Sequence, residues 1–220
     1  MRVGILGGTG PAGSALAVRL ASVGQEVVIG SRSAERAEGV CAELRGRWPD
    51  HSLSLSGADN AGAARSDVVV VATPWDAAAS TAASVAGELE GRVVVSMANA
   101  LAKVGDELQA LMPARGSVAE AVQAAVPAAR VAAAFHHVPA RELGEIDSPV
   151  HCDVIVCADD PAAAEAAAGL VDLVPGCSPV HAGSLSAAAA VEAFTAVILQ
   201  VNRRYRTRAT LRLVGLPDQR

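Results

Sequence analysis

Residues 7–13, Gly7-Gly8-Thr9-Gly10-Pro11-Ala12-Gly13, constrain this chain more than any other stretch. They follow a short apolar run, Val3-Gly4-Ile5-Leu6, that suits a buried parallel strand. A helical pattern carried by Ala15, Leu16, Val18, Arg19 and Leu20 comes next. Gly8-x-Gly10-x-x-Gly13 therefore stands in the strand–turn–helix context that a dinucleotide fingerprint requires. Gly8 is expected to permit the tight turn, Gly10 to let the backbone approach a pyrophosphate, and Gly13 to let the helix lie close to the strand. The phosphates, beside Thr9, Pro11 and Ala12, then meet the unpaired N–H groups and positive end of that helix.

The next strand names the nucleotide. Val27-Val28-Ile29 is apolar and β-branched, and an NAD site usually closes such a strand with Asp or Glu on the ribose 2′-OH. Here the position carries Ser31-Arg32, with Arg36 one helical turn on. A carboxylate would repel a 2′-phosphate, whereas a hydroxyl and two guanidiniums hydrogen-bond it with charge assistance. Thr9 is close enough in such a turn to add its hydroxyl. The expected cofactor is NADP(H), not NAD(H).

Asp67-Val68-Val69-Val70-Val71-Ala72 is the clearest strand, and it ends at Thr73-Pro74-Trp75-Asp76, where proline cannot continue a ladder. Arg92–Ser96 and Val131–Phe135 read as further strands, with a weaker one near Ser52–Leu55. Helices are expected from Ala34 behind a Ser33 cap and after the capping box Ser117-x-x-Glu120. This alternation implies an α/β fold, a Rossmann-type doubly wound parallel sheet. The loops at Gly8, Ser31, Thr73, Asn99 and His136 then share its carboxyl edge, where such sheets bind ligands. Past residue 141 the texture changes. A strand near Val154–Cys157, a helix capped near Asp159 or Asp160, an extended piece at Pro179-Val180-His181 and a long helix from Ala187 to about Arg203 suggest a small C-terminal α/β cap. The expected division is a nucleotide domain at 1–141 and a cap at 142–220 that completes the ligand cleft.

Composition narrows the partners. A net charge of −5 disfavours nucleic acid, and hydrophobic residues make up 51% of the chain, enough to bury a core. Only 2% is aromatic, and one lysine, Lys103, stands against 17 arginines, a bias of genome composition rather than of function. No uninterrupted run of about 18 apolar residues suggests a membrane span. The N-terminus runs straight into a strand, so no signal peptide is expected and the protein is expected in the cytoplasm. Cys41, Cys152, Cys157 and Cys177 form no CxxC pair and no zinc spacing, so free thiols and no metal site are expected.

Gly-Gly-Thr-Gly-x-x-Gly at 7–13, Gly-Ser-Arg at 30–32, Pro-Trp at 74–75, His-x-x-Pro at 136–139 and Ala-Gly-x-Leu-Ser at 182–186 occur in this order. On these motifs the chain resembles the NADPH-dependent F420 reductase family (F420:NADP oxidoreductases) over about residues 1–216. The resemblance implies an enzyme that exchanges hydride between NADP(H) and a 5-deazaflavin, coenzyme F420. It implies that Thr9 to Ala12 hold the pyrophosphate region and Ser31, Arg32 and Arg36 the 2′-phosphate. Pro74-Trp75, beside Thr73, would edge the nicotinamide together with Asn99 and Ala140. His136, Val138, Ser184 and Thr195 would face the deazaflavin, and the long C-terminal helix would join a homodimer. Three features depart from the family pattern, one of them the C-terminal stretch Arg203-Arg204-Tyr205-Arg206-Thr207-Arg208, which is more basic than the resemblance requires. Ser96-Met97-Ala98-Asn99-Ala100 replaces an apolar, proline-containing segment, and His136-His137 is a doublet where one histidine is usual.

Direct hydride transfer depends on positioning, so no catalytic acid or base is assigned. His136 is the candidate for an electrostatic role, donating to the negative charge a deazaflavin gains on reduction. A histidine satisfied by backbone at a strand end fits equally well. His137 is expected to point the other way. Trp75 either covers a ring face or plugs the sheet edge. Ser184 and Ser186 either donate to the second ring or cap the last helix, and Glu192 reads as solvated. Arg203, Arg204, Arg206 and Arg208 either hold the acidic tail of the deazaflavin or form a solvated helix end. Two rival functions remain: NADPH reduction of another acceptor (a flavin, an imine or a small ketone), and a non-catalytic NADP(H) sensor, which would lack a second cleft.

Overall fold

The valine runs become strands and the alanine-rich segments become helices. The computed structural model describes residues 1–216. In chain order the elements are β1 (Arg2–Leu6), α1 (Pro11–Ser22), β2 (Glu26–Ser31), α2 (Ala34–Arg47), β3 (Leu55–Asp59), α3 (Asn60–Ala64) and β4 (Val68–Val71). There follow α4 (Trp75–Ala83), α5 (Ala86–Leu89), β5 (Val93–Ser96), β6 (Leu101–Val104), β7 (Glu107–Ala110), α6 (Val118–Ala125) and β8 (Arg130–Ala133). The chain closes with α7 (Ala140–Gly144), β9 (Cys152–Ala158), α8 (Pro161–Asp172), β10 (Cys177–His181), a 3-10 turn at Leu185–Ala187 and α9 (Ala188–Tyr205).

Eight strands form one sheet in the order β10-β9-β8-β5-β4-β1-β2-β3, parallel throughout except where β9 runs against β8. Both faces are covered, so successive residues of a strand enter different cores. Val68 and Val70 of β4 join one apolar cluster with Val3, Ile5, Val93 and Val95. Val69 and Val71 join the other with Leu6, Val28 and Val94. The strand order reverses between β1 and β4. Their carboxyl ends, Gly7 and Ala72, therefore flank the crevice where such sheets take ligands.

Beyond residue 141 the chain adds β9 and β10 to the same sheet, with β9 antiparallel to β8. Pro179 is tolerated because β10 is an edge strand. The third strand lies slightly later than expected, at Leu55–Asp59 rather than near Ser52–Leu55. The hairpin β6–β7 has no counterpart in the sequence reading. Its signal was the two-residue loop Gly105-Asp106, with Gly105 at φ 58°.

Helix α9 packs with Ala188, Glu192, Thr195, Ala196 and Ile198 buried, and leaves Phe194, Val197, Val201 and Tyr205 exposed. Residues Leu185–Tyr205 are long and apolar enough to cross a membrane, with a mean hydropathy of 1.5. Glu192 and Thr195 interrupt any continuous apolar run, so averaging over the helix reveals what a run search does not.

Candidate functional site

A cleft of about 610 Å³ opens at the reversal point, lined by Gly7, Thr9 to Ala12, Ser31, Arg32, Arg36, Asn60, Ala72 to Pro74, Ala77, Ser80 and Thr81. Each glycine of the fingerprint has its own reason. Gly7, not Gly8, takes the left-handed conformation of the turn, at φ 69°. A Cβ on Gly8 would lie 2.8 Å from the Ile5 carbonyl, and one on Gly13 would lie 2.7 Å from the Cα of Gly8. A Cβ on Gly10 meets no atom closer than 3.6 Å and would simply stand in the open cleft. Gly10 is also the N-cap of α1, where no side chain caps the helix and Pro11 holds the first position. The first-turn N–H groups are left facing the cleft, as an anionic pyrophosphate needs.

The cleft wall also carries Thr9, Ser31, Arg32 and Arg36. Ser33 caps α2 by accepting the Arg36 N–H at 3.2 Å, which brings Arg36 to the first helical turn. Neither guanidinium forms an ion pair among the described residues. Two unpaired guanidiniums and two hydroxyls with no acid among the lining residues match a phosphate monoester. The Thr73 hydroxyl, buried without a partner, waits on the same wall. Asn60, Ser80 and Thr81 come from helices the sequence reading did not place, α3 and α4.

A second cavity of about 200 Å³ adjoins the first, and Ala12 lines both. Its wall carries Met97, Asn99, Phe135 to Ala140, Thr195, Ile198, Leu199 and Asn202. Phe135, two residues past β8, takes the left-handed conformation, at φ 66°, with its ring fully buried. A non-glycine residue there is strained by about 1–2 kcal/mol. That turn, closed by the Val138 N–H donating to the Phe135 carbonyl at 3.2 Å, carries His136 to the cavity. Asn99 Nδ2 donates to the His136 carbonyl at 2.8 Å. The Thr195 hydroxyl lies 3.2 Å from both Asn99 Oδ1 and the Val191 carbonyl, so its single hydrogen serves one of them at a time.

His136 is 4% exposed, and neither ring nitrogen has a hydrogen-bond partner. Burial pushes its pKa down to about 3, with His137 acting in the same direction and the main chain of Ala98 and Met97 opposing. The ring is therefore neutral. His137 turns away: its Nε2 accepts the Ile155 N–H at 3.4 Å, and its Nδ1 lies 3.7 Å from Cys152 Sγ. Burial lowers its pKa to about 4.

Two buried charges, Arg19 and Glu192, hold this wall. Arg19 of α1 is fully buried and donates to four carbonyls: Leu143 at 2.9 Å, Ile146 at 3.3 Å, Glu142 at 2.9 Å and Glu145 at 2.7 Å. It caps the C-terminal end of α7, whose first residue, Ala140, lines the second cavity. Glu192 of α9 is 3% exposed, contrary to the solvated role expected for it. Its two oxygens accept the N–H groups of Val118 at 2.9 Å and Ala119 at 3.1 Å, at the start of α6.

Thus Asn99, His136, Val138, Ala140 and Thr195 share the second cavity, and Thr9 to Ala12, Ser31, Arg32, Arg36, Thr73 and Pro74 share the first. Gly8 and Gly13 shape the turn from behind. Trp75 and Ser184 line neither cavity. Trp75 is half-buried against the second core, because the helix α4 that it begins turns its ring inward. Ser184 is exposed and bonds Ser186 at 2.8 Å, while Asp159 takes the Leu185 N–H at 2.9 Å. Neither serine side chain caps the last helix. Of the clustered arginines, Arg203 pairs with Asp106 at 2.7 Å and Arg208 with Glu142 at 2.6 Å. All four cysteines are free, and no cluster of potential metal ligands occurs among the described residues.

With this geometry in view, residues 2–100 match the family described as NADP oxidoreductase, coenzyme F420-dependent. The F420-dependent NADP reductase of Methanocaldococcus jannaschii is 34% identical over 98% of this chain and 99% of its own length. That of Methanothermobacter thermautotrophicus is 35% identical over 100% of this chain and 97% of its own. The chain belongs to the F420-dependent NADP reductase family. A solved structure from Arthrobacter sp. FB24, assigned to the same type, superimposes with a TM-score of 0.78 at 26% identity, covering 96% of this chain and 99% of that one.

Proposed function

We propose that this protein transfers hydride between NADP(H), held in the first cleft, and coenzyme F420, its deazaflavin ring in the second cavity. The observation that carries the assignment is the junction of the two cavities at Ala12, the start of α1. A nicotinamide reaching past that residue would approach a ring held in the second cavity. Bound there, F420 supplies the ring carbon that exchanges hydride with the nicotinamide.

The chain's own contribution is placement. The first turn of α1 binds the pyrophosphate, Ser31, Arg32 and Arg36 bind the 2′-phosphate, and Asn99 ties the His136 backbone to the rim. His136 presents a neutral donor to the polar edge of the second ring. Filling the cavity relieves the cost of leaving that imidazole unbonded. The lining of the second cavity includes no Asp, Glu, Lys or Tyr, and its one unpartnered histidine is held neutral. That suits direct hydride transfer better than reduction of an imine or ketone, which needs a proton donor.

The outward stripe Phe194, Val197, Val201 and Tyr205 of α9 suits self-association as a homodimer. It explains an apolar helix without a bilayer, in keeping with a cytoplasmic enzyme. The decisive assay mixes purified protein with NADPH and oxidised F420 and follows loss of the deazaflavin absorbance, with FMN and NADH as controls. Bleaching with NADPH and F420 alone is expected. Tight NADPH binding without bleaching would refute the assignment.

A further inference from the structure

Helix α9 supplies Thr195, Ile198, Leu199 and Asn202 to the second cavity, yet much of its other face is exposed. Its hold on the rest of the molecule is therefore what sets the cavity wall. Four polar ties run from it. Asn202 bonds the Ala209 backbone, Arg203 pairs with exposed Asp106, Thr195 meets Asn99, and Glu192 meets α6. Only the last places a buried ionisable group against main-chain donors of another element.

The start of α6 is closed by two elements at once. Ser117, its own cap, accepts the Glu120 N–H at 3.0 Å and donates to the Glu120 carboxylate at 2.9 Å. That leaves the Val118 and Ala119 N–H groups, and each oxygen of Glu192 takes one. A two-oxygen grip of this kind fixes both the rotation and the height of α9. One residue of slip along a helix is about 1.5 Å of translation and about 100° of rotation, enough to remove Thr195 from the wall.

We propose that Glu192 is a positioning residue for the acceptor site, aligning α9 over the second cavity through its grip on α6 without touching the acceptor. This rests on the reading that the deazaflavin occupies that cavity. Two N–H groups, one to each oxygen, favour the carboxylate. Protonation turns one of those oxygens into a hydroxyl, a weaker acceptor. Burial pushes the Glu192 pKa up to about 7, the two N–H groups lower it, and Glu120 raises it. The other titratable group facing it is the Cys157 thiol of β9, itself held neutral by burial with a pKa raised to about 11. The acceptor site is therefore proton-linked: it is best formed with Glu192 ionised, and acceptor binding draws the Glu192 pKa down.

The test compares wild type, E192Q and Thr195→Val between pH 6 and pH 8. It measures F420 KM in turnover and F420 Kd in the enzyme–NADP+ complex by deazaflavin fluorescence, with NADPH Kd as the control for fold. E192Q should raise F420 KM and Kd about tenfold at pH 8, the scale of one lost charge-assisted hydrogen bond. NADPH Kd should stay unchanged. Wild-type Kd should weaken as pH falls through about 7, and E192Q should lack that component. Any ionisation of F420 itself is common to both proteins and cancels in the difference. Independently of any variant, the carboxyl 13C resonance of Glu192 in wild type should titrate at lower pH once F420 is bound. An unchanged F420 Kd in E192Q, or a Glu192 pKa indifferent to F420, overturns the proposal. Unchanged values in Thr195→Val as well would overturn the placement of the acceptor, and the proposal with it.

Discussion

Replacing Arg19 by methionine should be among the most damaging single changes in this protein. The guanidinium donates to four main-chain carbonyls at 2.7–3.3 Å and is fully buried. Burial lowers its pKa, while Cys177 and the carboxylates of Asp147 and Glu145 raise it. Methionine fills much of the volume but leaves those carbonyls with no donor. Four hydrogen bonds to a charged group at about 1.5–3 kcal/mol each would sum to about 6–12 kcal/mol. That approaches the whole stability of a domain, about 5–15 kcal/mol. Water entry and shifting of α7 recover part of it, so a loss of about 3–5 kcal/mol is expected, as for other broken buried charge interactions. At about 2–4 °C per kcal/mol for a domain of this size, Tm falls by about 6–20 °C. Lysine keeps the charge but loses the planar fork, so Arg19→Lys should fall between the two. Urea unfolding at constant pH reads the free energy, and circular dichroism reads Tm. Because α7 carries Ala140 into the second cavity, F420 KM should rise in Arg19→Lys while NADPH Kd changes less. A loss below about 1 kcal/mol in Arg19→Met, or a lysine variant equal to wild type, would refute this account.

Other outcomes follow from the same geometry. Arg32→Ala should weaken NADPH binding about 10- to 150-fold, one charge-assisted bond to the 2′-phosphate, and leave NADH nearly unaffected. Equal losses in a paired titration would contradict the phosphate assignment. Phe135→Gly should be more stable than Phe135→Ala by about 1 kcal/mol, since both lose the ring but only alanine keeps strain at φ 66°; an alanine variant as stable as glycine in urea would count against it. His136 and His137 fold with pKa values lowered to about 3 and about 4, so their contribution is present above the ordinary value of 6.5 and lost as pH falls from there toward 4. Glu192, raised to about 7, acts with the opposite sign, contributing stability below its ordinary 4.5 that is lost as pH rises through 7. The urea midpoint of wild type should therefore drop between pH 6.5 and 5, and His136→Asn should flatten that drop; equal slopes would argue against a neutral buried ring. Val197→Glu, on the exposed face of α9, should shift the species seen by sedimentation toward monomer, and an unaltered dimer would place the interface elsewhere.

Much of the first cleft was legible because its chemistry is local. Gly7 to Gly13, Ser31, Arg32 and Arg36 lie within 30 residues, on one strand–helix–strand unit whose geometry any parallel sheet imposes. Even here the residue with positive φ proved to be Gly7, since the turn begins one position before the motif as usually counted. The second cavity was legible only through resemblance. Trp75 lines neither cavity, since proline at 74 signals the end of a strand but not which way the helix after it will face. Nor does Ser184 line either, and Asp159, 26 residues earlier, takes the Leu185 N–H.

The sequence by itself determined what depends on neighbours in the chain: the glycine turn, the Ser33 and Ser117 caps, the valine strands and the cationic end of the nucleotide site. These follow from φ freedom, side-chain reach and charge within a few residues. The tertiary structure alone decided which way β9 runs beside β8, why Phe135 holds a strained backbone, and what Arg19 and Glu192 do. In sequence, Arg19 and Glu192 are charges interrupting apolar helices. Their partners lie 123–127 and 73–74 residues away. A buried charge is stable only against donors or acceptors that the fold brings to it, and folding supplies those as the unsatisfied ends of two other helices.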